Sequence, residues 1–231
     1  EEANVTALIN AIAESLRQPL PQPTLNRVEE ENWVRVTQAP FDPIRISDRL
    51  WIVPSWHDAP DPAALNIALD PGMAFGTGSH PTTRLCLEWL EREVRPSMSL
   101  LDYGTGSGIL AIAAVRLGAT PVDGMDIDPQ AVSAARVNAE NNRVDIRFTG
   151  TPESLLPQYD LVVANILANP LRLLAPALTA RVRPGGKLAL SGLLLQQAEA
   201  IASLYAPWIE FEEPHEREGW ICLSGAKRGE E

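Results

Sequence analysis

Cysteine, histidine and long apolar runs are all scarce in this chain, and each scarcity removes a class of protein. The two cysteines, Cys86 and Cys222, stand alone in apolar surroundings with no C-x-x-C spacing. That excludes a disulfide scaffold, and the pair reads as buried thiols of a reducing cytoplasm, with a single disulfide as the alternative. His57, His80 and His215 are the only histidines and lack metal-ligand spacing, so no metal site is expected. No apolar run reaches membrane-spanning length, and no basic-then-apolar leader opens the chain. No membrane is therefore expected as a partner. The first residue is Glu rather than Met, which reads as a trimmed or partly ordered chain.

Positive charge is short as well. Nineteen Lys and Arg face 30 Asp and Glu, a formal net charge of −11. Such a surface repels phosphate backbones and attracts basic partners, so direct nucleic-acid binding is not expected. What the chain does have is 45% hydrophobic residues and six Trp in 231 residues. That is enough for one full-sized domain with a real core and a smaller appendage.

Three zones follow one another. In residues 1–38, "NVTALINAIAESL" spaces Val5, Leu8, Ile9, Ile12 and Leu16 as a helix face, and "NWVRV" alternates like a strand. One helix and one strand do not make a stable domain, so this zone reads as the remnant of a small α+β domain. Residues 39–66 are rich in proline and read as a linker of extended segments. Within it "RLWIVPSW" suits a short strand, and Trp51, Ile52 and Trp56 require the linker to pack on its neighbours. Residues 67–231 then alternate between the two periods. "SLLDY" is a strand, "GILAIAAVRLG" a helix, "PVDGMDID" a strand, and "PQAVSAARVNAENN" a helix with Pro129 in its first turn. The alternation continues through "VDIRFTG", "YDLVVANI", "ANPLRLLAPALTARV", "GGKLALSGL" and "QQAEAIASLY", and ends in a hairpin over "WIEFEEPHEREGWICLSGAK". This pattern predicts an α/β fold, a mostly parallel, doubly wound, Rossmann-like sheet with helices on both faces.

The tetrapeptide Gly-Thr-Gly-Ser occurs twice, in "FGTGSH" (75–80) and "YGTGSG" (103–108). The second copy lies where the first strand of the alternation turns into a helix, the place at which such sheets hold ligands. Gly104, Gly106 and Gly108 let the backbone turn sharply and approach a ligand with no Cβ in the way. The spacing is G-x-G-x-G, and position 109 is Ile, which departs from the G-x-G-x-x-G of dinucleotide sites. With Asp102 opening the loop, it is the pattern of S-adenosylmethionine-binding domains. The next strand ends in "MDID", where an acid can accept hydrogen bonds from both ribose hydroxyls. Asp126 at the strand end is preferred over Asp128, which precedes Pro129 and suits a helix cap. The strand "YDLVVAN" ends in Asn165, expected at the same edge beside the glycine loop. Its side-chain carbonyl could accept a hydrogen bond from an amine and aim the nitrogen lone pair at a sulfonium methyl. A capping role for Asn165 is the bland alternative. The first copy, "FGTGSH", follows an extended stretch and precedes Pro81 and a helix; it reads as a flap over the methyl-donor end, with a plain glycine-rich turn at the domain junction as the alternative.

Together "DPGMAFGTGSHPTT", "LLDYGTGSGILAIAAVRLGA", "MDIDPQAV", "VVANILANPL" and "GGKLALSGLL" closely resemble the ribosomal protein L-eleven methyltransferases, the PrmA family. The likeness spans roughly residues 30–231, and "AFGTGSHPTT" combined with "ANILA" is its specific part. The resemblance implies a seven-stranded class I methyltransferase domain joined by a linker to a small recognition domain. It implies N-methylation of lysine side chains and the α-amine of that large-subunit ribosomal protein, with S-adenosylmethionine as cofactor. Carried over by motif, Thr83, Gly104, Asp126 and Asn165 would contact the cofactor, Asn165 would be catalytic, and Phe75 and Gly76 would line the same pocket beside Asp102 and Gly106. A cytoplasmic monomer is expected. The family's recognition domain is usually longer than the stretch preceding the linker here, and Thr37 stands where some relatives have a second Trp. Two other readings stay open at this point: a class I methyltransferase of another protein or a small molecule, and a nicotinamide-dependent oxidoreductase.

Overall fold

Strand and helix alternate through most of the described residues, and prolines open two of the helices, at Pro81 and Pro129. The structure is a computed structural model that describes residues 41–70 and 78–229. These residues belong to one compact unit, Phe41–Glu231. The helix and strand expected in residues 1–38, and Phe75 and Gly76, lie outside the described residues.

The proline-rich stretch carries three short strands, β1 (Ile44–Arg45), β2 (Leu50–Val53) and β3 (Leu65–Ala68), in a sheet of that order. β2 and β3 run parallel, and β1 pairs antiparallel to β2. Ile46, Leu50, Ile52, Ile67 and Leu69 are buried in one cluster with Trp89, Leu90 and Ile112 of the larger layer. Burying each such side chain contributes about 1.5–3 kcal/mol, which holds the small sheet against the helices.

Helix α1 (Pro81–Glu93) begins at His80, whose ring accepts from the Thr82 N–H, with Pro81 in the first turn. β4 (Leu100–Tyr103) leads into α2 (Ile109–Arg116), and β5 (Val122–Met125) into α3 (Pro129–Asn141). Asp128 caps α3 by accepting from the Gln130 N–H at 2.8 Å, as expected of the second acid in "MDID". Then come β6 (Arg147–Thr149), β7 (Tyr159–Asn165), α4 (Ala168–Arg181), β8 (Val182–Leu194), α5 (Ala198–Tyr205), β9 (Ile209–Phe211), β10 (His215–Arg217) and β11 (Trp220–Lys227).

The main sheet runs β10-β11-β8-β7-β4-β5-β6, with β9 also paired to β11. β6, β5, β4, β7 and β8 are mutually parallel, and β11 enters antiparallel to β8. The chain reverses its direction of build at β4, so the carboxyl ends of β4, β5 and β7 face one crevice. Eight strands are present, against the seven implied by the resemblance. The expected terminal hairpin is the reason: its first arm is broken at Glu212–Pro214, so β9 and β10 lie end to end along β11. Proline cannot donate to the ladder, and the seven sheet positions remain. One core cluster gathers α1, α2 and α3 on one face of the sheet, and a second gathers α4 and α5 on the other.

Candidate active site

The loop between β4 and α2 has three glycines in the left-handed region, Gly104 at φ +76°, Gly106 at +52° and Gly108 at +81°. Side chains other than Gly, Asn and Asp rarely adopt this conformation, so the glycines are required by the path of the backbone. A Cβ on Gly104 would also come within 2.3 Å of Ile166 Cγ2. Two further bonds tie the loop to the next strand: the Gly104 and Thr105 N–H groups donate to Met125 O at 2.7 and 3.0 Å.

Asp102, at the end of β4, is fully buried, and its Oδ2 accepts from Thr105 Oγ1 at 2.7 Å and from the Ala111 N–H at 3.2 Å. Its carboxyl thus braces the loop from below, joining the first turn to α2. Burial pushes its pKa up to about 7, against the lowering effect of those two bonds. Its Oδ1 has no partner, as suits a carboxyl that holds its proton more tightly than usual.

Asp126 follows β5. One carboxylate oxygen accepts from the Gly106 N–H at 2.9 Å and the other from the Asp128 N–H at 3.0 Å. The carboxylate is half-buried and has acceptor capacity to spare, since two oxygens offer about four lone-pair sites. It is therefore both the clasp of the glycine loop and an acceptor facing the crevice end of the sheet. Ile127 beside it is 83% exposed.

Asn165 ends β7, next to β4 in the sheet, and its Nδ2 donates to Thr83 Oγ1 at 3.5 Å. Thr83 is buried in the first turn of α1. The amide nitrogen thus pairs with Thr83, which leaves Oδ1 as the acceptor. Ile166, the next residue, sits against Gly104, so Thr83, Gly104 and Asn165 converge at one edge, with Asp126 at the end of the neighbouring β5.

Two further features were not marked as functional by the sequence. Gly192 in β8 has φ +85°, and a Cβ there would fall 2.3 Å from Ile166 O. It shapes the turn after Asn165, and the only trace of it in sequence is a glycine inside a strand pattern. His80 places its Nδ1 2.8 Å from Thr82 Oγ1, and its ring meets Trp220 edge-on at 4.7 Å. Trp220 lies in the terminal strands, far along the chain, and no local pattern announces that pairing. A cavity of about 560 Å³ lined by Ser55, His57, Asn66, Asp70 and others shares no residue with this edge. Among the described residues no three His, Cys, Asp or Glu side chains gather as metal ligands would, and no helix is long and apolar enough to cross a membrane. Cys86 and Cys222 are free and buried.

The family model described as "Ribosomal protein L11 methyltransferase (PrmA)" matches residues 1–228. The chain belongs to that family. A protein from Dechloromonas aromatica (strain RCB) named ribosomal protein L11 methyltransferase is 63% identical over 208 residues, spanning 90% of this chain and 70% of that relative. The crystal structure of the ribosomal protein L11 methylase from Lactobacillus delbrueckii subsp. bulgaricus superposes with a TM-score of 0.76 at 36% identity, covering 81% of this chain and 100% of that one. A Thermus thermophilus 16S rRNA methyltransferase, solved with AdoMet and guanosine, shares the fold at TM-score 0.57 and 24% identity, over 67% of this chain and 45% of its own. Membership of the family closes the nicotinamide reading left open by the glycine loop.

Proposed function

We propose that this chain transfers methyl groups from S-adenosylmethionine to lysine side-chain and α-amino nitrogens of ribosomal protein L11. The observation that carries this is the convergence of Thr83, Gly104 and Asn165 at the edge where Asp126 ends the neighbouring strand. Family membership and the names of the relatives support the substrate.

The residues fit the cofactor. The left-handed glycine loop lets the backbone approach closely with no Cβ in the way, as a cradle for a nucleoside with a polar tail requires. Asp126 has the lone pairs to receive two ribose hydroxyls. Gly104 and Gly106 would flank the cofactor, Asp102 would act by bracing their loop, and Thr83 would meet it from the start of α1. Phe75 and Gly76 would complete the pocket. When bound, S-adenosylmethionine supplies a methyl group on a positively charged sulfur, which is reactive without further activation.

The remaining work falls to this chain as positioning. The Oδ1 of Asn165 accepts an N–H of the incoming amine and so fixes the direction of its lone pair. Thr83 holds the amide in that orientation through Nδ2. An amine that arrives neutral needs no strong base at the site, and the proton of its ammonium form goes to solvent beforehand.

We assign residues 1–38 to substrate recognition, 39–66 to the connection and 67–231 to the methyltransferase domain. The net charge of −11 suits a basic protein substrate and disfavours direct nucleic-acid binding. The enzyme is read as a cytoplasmic monomer that meets no membrane. Transfer of a labelled methyl from S-adenosylmethionine to ribosomal protein L11 is the expected result. A full-length enzyme that binds the cofactor and leaves that protein unlabelled would overturn the reading.

A further inference from the structure

Past the strand end at Asn165 lie three exposed residues, two of which sit where local stability would call for something else. Leu167 is the N-cap of α4, makes no capping bond and is 68% exposed. Ser, Thr, Asp or Asn is preferred at such a position, because a side-chain oxygen there satisfies a free helical N–H. Leu195 follows β8 and is 53% exposed. Glu218 and Gly219 form the two-residue turn between β10 and β11, at φ +54° and +78°. Asn, Asp or Gly is favoured at the first place of that turn, not Glu.

All three lie beyond the same sheet edge. β7 and β8 are parallel neighbours with Asn165 opposite Ser191, so Leu167 and Leu195 both lie past the ends of those strands. The Leu195 N–H donates to Gly219 O at 3.0 Å, which joins the Glu218 turn to the end of β8. Trp220, opposite Leu194, carries the His80 ring and so ties this edge to the start of α1 and Thr83. Two breaches of local preference beside a further exposed leucine at one sheet end point to a functional surface.

We propose that Leu167, Leu195 and Glu218 form the docking rim for the lysine-bearing segment of the protein substrate. The two leucines cover the methylene stem of the target lysine, and the Glu218 carboxylate meets its basic neighbours. A lysine side chain has this combination of an apolar stem and a cationic end, and the acidic surface complements a basic protein. The inference rests on the proposed methylation of ribosomal protein L11 and adds the residues that select the segment.

The test uses the full-length enzyme with Leu167→Ser, Leu195→Ser and Glu218→Asn, measured against ribosomal protein L11 and S-adenosylmethionine. Leu167→Ser and Glu218→Asn should unfold at equal or higher denaturant, since each restores a locally preferred residue. KM for the protein should rise roughly five- to tenfold in each leucine variant. The dissociation constant for S-adenosylmethionine should stay unchanged throughout. An unaltered KM in both leucine variants overturns the rim while the wild-type rate upholds the activity. A KM rise accompanied by a lower unfolding midpoint also overturns it, by making the residues structural. A wild-type enzyme that leaves the protein unmodified overturns both.

Discussion

Asn165 is the residue on which turnover should depend most. Its Nδ2 is occupied by Thr83 and its Oδ1 is left as the acceptor. Asn165→Ala should lower kcat by two orders of magnitude or more, with calorimetric affinity for S-adenosylmethionine falling far less. If binding falls in step with rate, Asn165 is a cofactor contact and does not align the amine. Asp102 gives a second prediction, through pH. Its pKa is about 7 in the fold against 3.8 in an exposed carboxyl, so the folded state binds the extra proton between those values. Stability from this group is therefore present at low pH, declines as pH rises from about 4 to 7, and is flat above. The total is on the order of 4 kcal/mol. Urea unfolding across pH should show that decline in the wild type and a flatter curve in Asp102→Asn. Individual residues were legible where chemistry and position coincide: Asp126 and Asp128 separate into clasp and cap because only the second precedes a proline. The Asn165–Thr83 pairing spans 82 residues and was legible only through the family motif.

At the scale of elements, the turn after β7 is set by what crosses it. Gly192→Ala would drive a Cβ into Ile166 O and force a left-handed alanine. It should destabilise the protein by about 2 kcal/mol or more and disturb Asn165, so kcat and the denaturation midpoint should fall together. The opposite edge of the sheet behaves differently. There Asp123 is buried in β5, takes Arg147 Nε at 2.9 Å and accepts the Tyr159 hydroxyl. Asp123→Ala leaves the buried Tyr159 hydroxyl without its acceptor, at a cost of about 1–3 kcal/mol, while half-exposed Arg147 turns to water and S-adenosylmethionine affinity in the folded protein should not change. Strand–helix alternation was readable because the hydrophobic period switches between strand and helix, with Pro81 and Pro129 marking two of the helix starts. The split of the first hairpin arm into β9 and β10 was not, since a polar stretch with one proline looks like a turn from sequence. Of the three-stranded sheet of residues 44–68 only β2 was readable, in "RLWIVPSW", because two- and four-residue strands carry few alternations.

The whole molecule combines a doubly wound sheet, a site at its switch in build direction and a net charge of −11. A charge of that size steers a basic protein and is screened by salt. KM for ribosomal protein L11 should therefore rise as ionic strength rises, and affinity for the cofactor should move much less. The central claim is that this edge moves methyl groups onto that protein. Intact-mass analysis of ribosomal protein L11, incubated with enzyme and S-adenosylmethionine, tests it most directly. The mass should climb in whole methyl steps with the wild type and stay near its starting value with Asn165→Ala. An unchanged mass with an enzyme shown to bind the cofactor would contradict it.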